Sequence, residues 1–226
     1  MTEDSVEAII EWVRGRTGTR RERRQESTAQ TALVVSCSMS GCEPGGELWP
    51  ADASWDVLEV RTLGNQTRER YEDRTVLDSN IERLRAQHDI TAVVVVGHTG
   101  CAVLADAHEQ WVAPDTGVPA GVEARVGPLR SLVREGFEEG VLAKSMPRRT
   151  VRYRLVEYNV RRQVQFLRQS LPPSVTTAGY VHDQDGAYSS FPDKRYLVAL
   201  DGETEPTRIR TRLPRGASIR TASLLS

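Results

Sequence analysis

An unbroken run of four valines, Val93 to Val96, constrains the fold of this 226-residue chain more than any other stretch. A strand buried on one face alternates apolar and polar residues, whereas a strand buried on both faces is apolar throughout. The run therefore predicts the central strand of a mostly parallel sheet flanked by helices, in an α/β fold. It ends in Gly97, which is followed by His98 and, three residues later, by Cys101.

A second apolar run, residues 31–36, ends in the same way with Cys37. Because ligands bind at the carboxyl ends of strands in open α/β sheets, Cys37, His98 and Cys101 are expected at one edge of the sheet. Thiolate sulfur and imidazole nitrogen are ligands of zinc, and three protein ligands leave a fourth position for water. We therefore interpret these residues as a zinc site. Spacing alone does not separate this interpretation from three ordinary buried residues.

Apolar periodicity places further strands and helices around the central strand. Strands are predicted over residues 57–61, 176–183 and 196–201, and helices over residues 75–87, 101–111, 122–140 and 153–169. The last two strands flank a turn at Asp185-Gly186 and are expected to pair as a hairpin. The alternation predicts one zinc-binding α/β domain over residues 29–202, preceded by a helical arm and basic linker at residues 1–28. Residues 203–226 show no periodicity and are predicted to form a C-terminal tail.

Composition and charge exclude several classes of partner. The formal net charge of -1 gives no reason to expect nucleic acid or an anionic membrane surface. No apolar stretch reaches the roughly 20 residues of a membrane span, and the N-terminus lacks the order of a secretory signal, so a cytoplasmic protein is expected. A reducing compartment favours thiolate ligands over disulfides. Cys42 is expected to have no role at the metal, and His88, His108 and His182 are expected at the surface or at helix ends.

Several segments occur in an order and with gaps that are specific when taken together. They are Cys37-Ser38-x-Ser40, Arg61-x-x-Gly64-Asn65, Gly97-His98-Thr99-Gly100-Cys101, the helix from Val156 to Val164, and the strand from Ala178 to Asp183. Together they resemble the beta class of carbonic anhydrases over residues 30 to 200. The resemblance implies zinc held by Cys37, His98 and Cys101, and reversible hydration of carbon dioxide to bicarbonate. It also implies a homodimer or a dimer of dimers, in which the N-terminal helix packs on the partner subunit. Asn65 and Gly100 are expected to shape the substrate pocket.

One departure from the family pattern concerns the first motif, which reads Cys-x-Asp-x-Arg in the family. Met39 and Gly41 occupy the aspartate and arginine positions here. In family members the aspartate accepts a hydrogen bond from the zinc-bound water, and the arginine pairs with that aspartate. A thioether is at best a weak acceptor, and an arginine without its carboxylate would be a costly buried charge. We interpret the double change as a coordinated remodelling that predicts lower turnover than in typical relatives.

Three consequences of this remodelling remain open. An acid from the following segment, which contains Glu43, Glu47, Asp52 and Asp56, could replace the missing carboxylate, although each is more simply a solvated side chain. A more apolar mouth around Met39 could suit hydrolysis of a sulfur analogue of carbon dioxide. Alternatively, the chain is a non-catalytic zinc-binding homodimer that recognises small anions or a protein partner.

Overall fold

The computed structural model describes residues 30–40, 55–114, 119–213 and 219–225. The predicted helical arm and basic linker at residues 1–28 lie outside these ranges, as do Gly41, Cys42 and the acids Glu43, Glu47 and Asp52. Within them, no helix combines the length and the apolar character that a membrane span requires. In chain order the elements are β1 (Gln30–Cys37), β2 (Trp55–Thr62), a 3-10 turn (Leu63–Asn65), β3 (Arg68–Tyr71), β4 (Arg74–Leu77), α1 (Ser79–Gln87), β5 (Ile90–His98), α2 (Ala102–Val112), α3 (Ala120–Glu138), α4 (Arg148–Ser170), β6 (Thr176–Asp183), β7 (Lys194–Leu200), α5 (Pro206–Arg212) and β8 (Arg220–Thr221).

The central sheet of the described residues has six strands in the order β2-β1-β5-β6-β7-β8. The first four are parallel, β6 and β7 pair antiparallel, and β8 adds a short parallel strand at the far edge. The valine run forms the buried middle of β5, which lies between β1 and β6. The prediction of a mostly parallel sheet in an α/β fold is therefore confirmed, as is the antiparallel pairing of the last two predicted strands.

Successive side chains of a strand point to opposite faces of the sheet, and each face carries an apolar cluster that includes helix residues. On one face Leu33 and Val35 of β1 join a large apolar cluster with α1, α2, α3 and α4. On the other face Val34 and Val94 pack in a smaller cluster with Ile209 of α5. The middles of β1 and β5 are buried on both sides, and this burial explains why their sequences are apolar without alternation.

Two glycines set how closely α4 approaches the sheet. A Cβ atom on Gly97 of β5 would lie 2.6 Å from Cγ2 of Val160, and one on Gly179 of β6 would lie 2.6 Å from Cγ1 of the same residue. Val160 is fully buried. Only glycine at these two positions therefore lets α4 lie directly on the end of β5 that carries His98.

The residues after Gly202 differ from the prediction that they lack regular structure. Glu205 caps α5 by accepting hydrogen bonds from the backbone N–H groups of Thr207 and Arg208. Near the C-terminus, the backbone N–H of Leu224 donates to the buried Glu157 of α4 at 2.6 Å. A seven-residue helix with a single buried apolar residue, Ile209, gives no periodic signal, which explains the error.

Three further differences concern the starts of two helices and the burial of one side chain. Residues predicted to open the first helix instead form β4, which pairs with β3 as a hairpin, and α1 begins only at Ser79, where Asp78 caps it. The helix predicted over residues 153–169 begins earlier, at Arg148. The expectation that His108 lies at the surface or at a helix end is wrong, because the residue lies within α2 and its buried ring stacks on Phe137 of α3 at 6.1 Å between centroids.

Candidate metal centre

The three predicted ligands converge at the carboxyl edge of the sheet. Cys37 is the last residue of β1, His98 is the last residue of β5, and Cys101 is the N-cap of α2. Gly100, with a φ of 76°, makes the turn that brings Cys101 back toward the strand end. All three residues are buried, and their ligand atoms lie within 4.8 Å of one another. The two sulfur atoms are 3.7 Å apart.

His98 has one ring nitrogen engaged and the other free among the described residues. Its Nδ1 lies 3.2 Å from the carbonyl oxygen of Thr99 and 3.3 Å from Oε1 of Gln184. Its Nε2 is buried and has no hydrogen-bond partner there. Acceptor oxygens at Nδ1 favour the tautomer whose lone pair is on Nε2, as in metal-ligating histidines. The donor set of two sulfurs and one imidazole nitrogen therefore fits a zinc ion.

The electrostatics of the cluster favour a cation. The hydrogen bond from Cys101 lowers the pKa of Cys37, and the nearby ring of His98 and the backbone N–H groups of Met39 and Gly64 act in the same direction against burial. The same sulfur–sulfur hydrogen bond raises the pKa of Cys101. Burial lowers the pKa of His98, but Cys37 and its charge, together with the hydrogen bonds to Gln184 and Thr99, outweigh burial, so that pKa is raised. The cluster thus concentrates negative charge on Cys37, and a bound metal would displace the remaining protons.

The first motif contributes no carboxylate at the described positions. The side chain of Met39 is 60% exposed, so its thioether does not close over the cluster. Asp56, one of the acids considered as a replacement, pairs in register with Thr31 at the start of β1, whereas Cys37 pairs with Thr62. Six residues of strand separate the two positions by about 20 Å. Asp56 is therefore excluded as the replacement acid.

The two predicted pocket residues take different positions. Gly100 lines a surface cavity, and Cys101 is also among its lining residues. Asn65 is buried in the turn after β2, next to Gly64, and its Oδ1 accepts a hydrogen bond from Asn159 of α4 at 3.1 Å. The Nδ2 of Asn65 is buried without a partner among the described residues. A role for either residue toward substrate stays a prediction.

Sequence reasoning missed the loop that follows β6. The hydroxyl of Thr99 accepts hydrogen bonds from the backbone N–H of Gln184 at 2.8 Å and of Asp185 at 3.2 Å. Asp183, fully buried, accepts from the backbone N–H of Ala187 at 2.7 Å and of Tyr188 at 2.8 Å. These bonds hold Gln184 against His98. The Asp-x-x-Gly pattern at the end of a predicted strand was the available signal for such an anchored turn.

The cavity beside Cys101 has a volume of about 420 Å³. It is bounded by Gly100, Cys101 and Asp185 at the sheet edge and by side chains from the first turns of α4. A cavity of this size lies within the range of small-molecule sites. No sequence pattern indicated it, because its walls come from three distant segments.

Comparison with known proteins agrees with this geometry. A family model described as carbonic anhydrase matches residues 32–180. The chain therefore belongs to the beta-carbonic anhydrase family, which confirms the resemblance inferred from the motifs. A search of curated proteins finds no match.

Solved structures of beta-carbonic anhydrases share the fold. CafA of the fungal pathogen Aspergillus fumigatus is 19% identical, with 97% of this chain and 98% of that chain covered and a TM-score of 0.56. A mutant of CafD of Aspergillus fumigatus is 24% identical over 78% of this chain and 92% of that chain, with a TM-score of 0.52. A tetrameric beta-carbonic anhydrase from Sordaria macrospora is 17% identical over 80% and 89%, also with a TM-score of 0.52.

Proposed function

We propose that this chain is a zinc-dependent carbonic anhydrase that hydrates carbon dioxide reversibly to bicarbonate, with lower turnover than typical relatives. One observation carries the proposal: a member of this family places two thiols and an unpartnered imidazole nitrogen within 4.8 Å of one another at the sheet edge. Zinc bound there would lower the pKa of its water toward about 7 and supply hydroxide as the nucleophile.

Each protein group has a distinct part in this function. Cys37, His98 and Cys101 would hold the ion, and two thiolates would balance its double charge. Gln184 and the Thr99 carbonyl fix the orientation of His98 through Nδ1. The backbone N–H groups of Met39 and Gly64 hydrogen-bond to the Cys37 sulfur and moderate its electron donation.

Lower turnover follows from the position that Met39 occupies. A carboxylate there would accept a hydrogen bond from the attacking water and orient it, whereas an exposed thioether does not.

The proposed assembly is a homodimer or a dimer of dimers, and the tetrameric state of the Sordaria macrospora relative supports an oligomer.

The same exposure of Met39 favours one rival, a zinc-binding oligomer of this fold without efficient catalysis. Stopped-flow measurement of carbon dioxide hydration separates the two, with zinc content determined on the same sample. Rates above the buffer background that scale with protein concentration are expected. Rates equal to buffer, on folded and fully zinc-loaded protein, would overturn the enzyme and leave the rival.

A further inference from the structure

The two cysteines of the candidate metal centre differ in their access to solvent. Cys101 is 4% exposed and is among the residues that line the cavity of about 420 Å³ between the sheet edge and α4. Cys37, at the end of β1, has no exposed surface. Both cysteines are thiolates when they hold a metal, so access decides which sulfur reacts first. A small solute in the cavity therefore meets the sulfur of Cys101 before that of Cys37.

The lining of this cavity is basic. It includes three arginines from the first turns of α4, namely Arg148, Arg149 and Arg152. Asp185, which also lines the cavity, and Glu109, which pairs with Arg152, balance two of these three charges. The described lining therefore keeps an excess of positive charge beside Cys101. Reactive cysteines are typical of such electropositive and partly accessible surroundings.

A second thiol lies within reach of the first. The sulfur atoms of Cys37 and Cys101 are 3.7 Å apart, and neither residue is in a disulfide. A disulfide bond is about 2.05 Å long, so the two sulfurs would have to approach by about 1.7 Å. Cys37 is the last residue of its strand, and Cys101 follows Gly100, whose φ is 76°, at the start of α2. Because both cysteines stand at the ends of elements, this approach does not require a whole strand or helix to move.

We propose that Cys101 is a site of oxidation by small hydroperoxides such as hydrogen peroxide, with Cys37 as the resolving thiol. The Cys101 thiolate attacks one peroxide oxygen, the O–O bond breaks, and hydroxide leaves a sulfenic acid on the protein. The Cys37 thiolate then attacks the Cys101 sulfur, the S–O bond breaks, and a second hydroxide leaves as the disulfide forms. Two electrons pass from the sulfur pair to the peroxide, and two protons from solvent convert the hydroxides to water.

Oxidation of this pair would control the metal content of the centre. A disulfide sulfur has lost the thiolate charge that makes cysteine a metal ligand, so only His98 would remain of the three predicted ligands. A dithiol reductant reverses the reaction and restores both thiolates. The effect on catalysis, a reversible loss of carbon dioxide hydration, rests on the proposed function.

The test follows thiols and zinc and not turnover alone. Zinc-loaded wild-type protein is treated with excess hydrogen peroxide, and free thiols, released zinc and intact mass are measured over time. Cys37 and Cys101 should lose their thiols as zinc is released, with a mass decrease of two hydrogens and a disulfide between them in the peptide map. Dithiothreitol with added zinc should restore the thiols and the zinc content. Cys42→Ser is the matched control and should behave like wild-type protein.

A second set of variants tests access through the cavity. Ala105 lines the cavity on α2, so Ala105→Leu should fill the space beside Cys101 and slow thiol loss several-fold at unchanged zinc content. Ala86→Leu, the same substitution at an exposed position of α1, should leave the rate unchanged. If Ala105→Leu does not fold or does not bind zinc, Arg149→Gln decides, because removal of one positive charge from the lining should also slow the oxidation.

Several results would overturn the proposal. They are intact thiols and retained zinc after peroxide treatment, a disulfide that requires Cys42, a mass gain confined to the thioether of Met39, and an unchanged rate in the folded cavity variant. Disulfide formation with zinc release in a protein that hydrates no carbon dioxide would keep the oxidation site and overturn the enzyme. Hydration that persists after peroxide treatment, with both thiols intact, would do the reverse.

Discussion

Two loops approach the metal cluster from either side of β5, one after β1 and one after β6, and the chain holds them in different ways. The described part of the first, residues 38–40, has two backbone hydrogen bonds, from Ser38 to Thr62 and from Ser40 to Cys37, and its central side chain is exposed. The second is built around the buried carboxylate of Asp183, and Thr99 binds two of its backbone N–H groups.

The difference shows where this chain keeps its polar groups. The first loop is where the family pattern has an aspartate and an arginine, and Ser38, Met39 and Ser40 provide no ionisable side chain. The second loop presents Gln184 to His98 and Asp185 to the cavity. The loop after β6 is therefore the one that is fixed by hydrogen bonds and that carries charged side chains.

Removing a ligand should have the largest effect, because zinc binding and the proposed hydration both depend on the three ligands between the loops. Cys37→Ser is expected to lose stoichiometric zinc and all hydration above buffer, since the serine hydroxyl is a poor zinc ligand. Elemental analysis and stopped-flow kinetics measure both. Cys42→Ser is the matched control and should keep its zinc; full zinc occupancy in Cys37→Ser would show that Cys37 is not a ligand.

Restoring the family pattern in the first loop tests whether the contrast between the loops limits the rate. The double variant Met39→Asp with Gly41→Arg should raise hydration at least about tenfold, because an oriented acceptor contributes on this scale or more. Met39→Leu, which keeps the position apolar, should leave the rate unchanged. A folded, zinc-loaded double variant that is no faster than wild type would remove the missing pair as the explanation.

Weakening the hydrogen bonds of the second loop tests whether the buried carboxylate of Asp183 stabilises that loop. Asp183→Asn replaces a charged acceptor of two short hydrogen bonds in a fully buried position. The free energy of unfolding should fall by about 2 kcal/mol, measured by urea denaturation. Asp193→Asn, 77% exposed at its side chain near the same loop, should leave that free energy unchanged; equal losses in both variants would show that the burial of Asp183 is not what matters.

A comparable effect is expected where β6 packs against α4. Gly179→Ala places a Cβ atom 2.6 Å from Val160 and 2.9 Å from Val164, so the helix must shift, at a cost of about 1–3 kcal/mol. Gly121→Ala, in α3 with no atom of the described residues within 4 Å of the added Cβ, should instead stabilise by about 0.5–1 kcal/mol. Thermal unfolding of both variants measures the two changes in stability. An unchanged stability in Gly179→Ala would mean that α4 does not pack closely against β6.

The sequence was sufficient for the parts of the fold that local patterns encode. The valine run predicted β5, and a histidine or cysteine after each apolar run predicted the cluster. Both predictions were possible because a buried strand is a run of consecutive apolar residues, and the end of that run marks the end of the strand. The contact of Gln184 with His98 was not predictable in this way. It depends on β6 lying beside β5, a strand order that emerges only when the crossover helix α4 packs.

The wrong predictions concern residues whose burial or secondary structure depends on tertiary packing. His108 has no sequence feature that distinguishes a buried ring from an exposed one, and its burial depends on Phe137 of another helix. Likewise α5 is defined by its cap at Glu205 and by one side chain, Ile209, that fits the second face of the sheet.

The carboxylate of Glu157 links the end of the chain to the loop after β6. It accepts a hydrogen bond from the hydroxyl of Tyr188 at 2.7 Å as well as that from the amide of Leu224, and it forms an ion pair with Arg161. Detachment of the C-terminal segment would thus remove the Leu224 hydrogen bond from the Glu157 carboxylate, to which the Tyr188 hydroxyl also donates. The two segments should open together as one cooperative unit, visible as shared protection in hydrogen–deuterium exchange despite their separation in sequence.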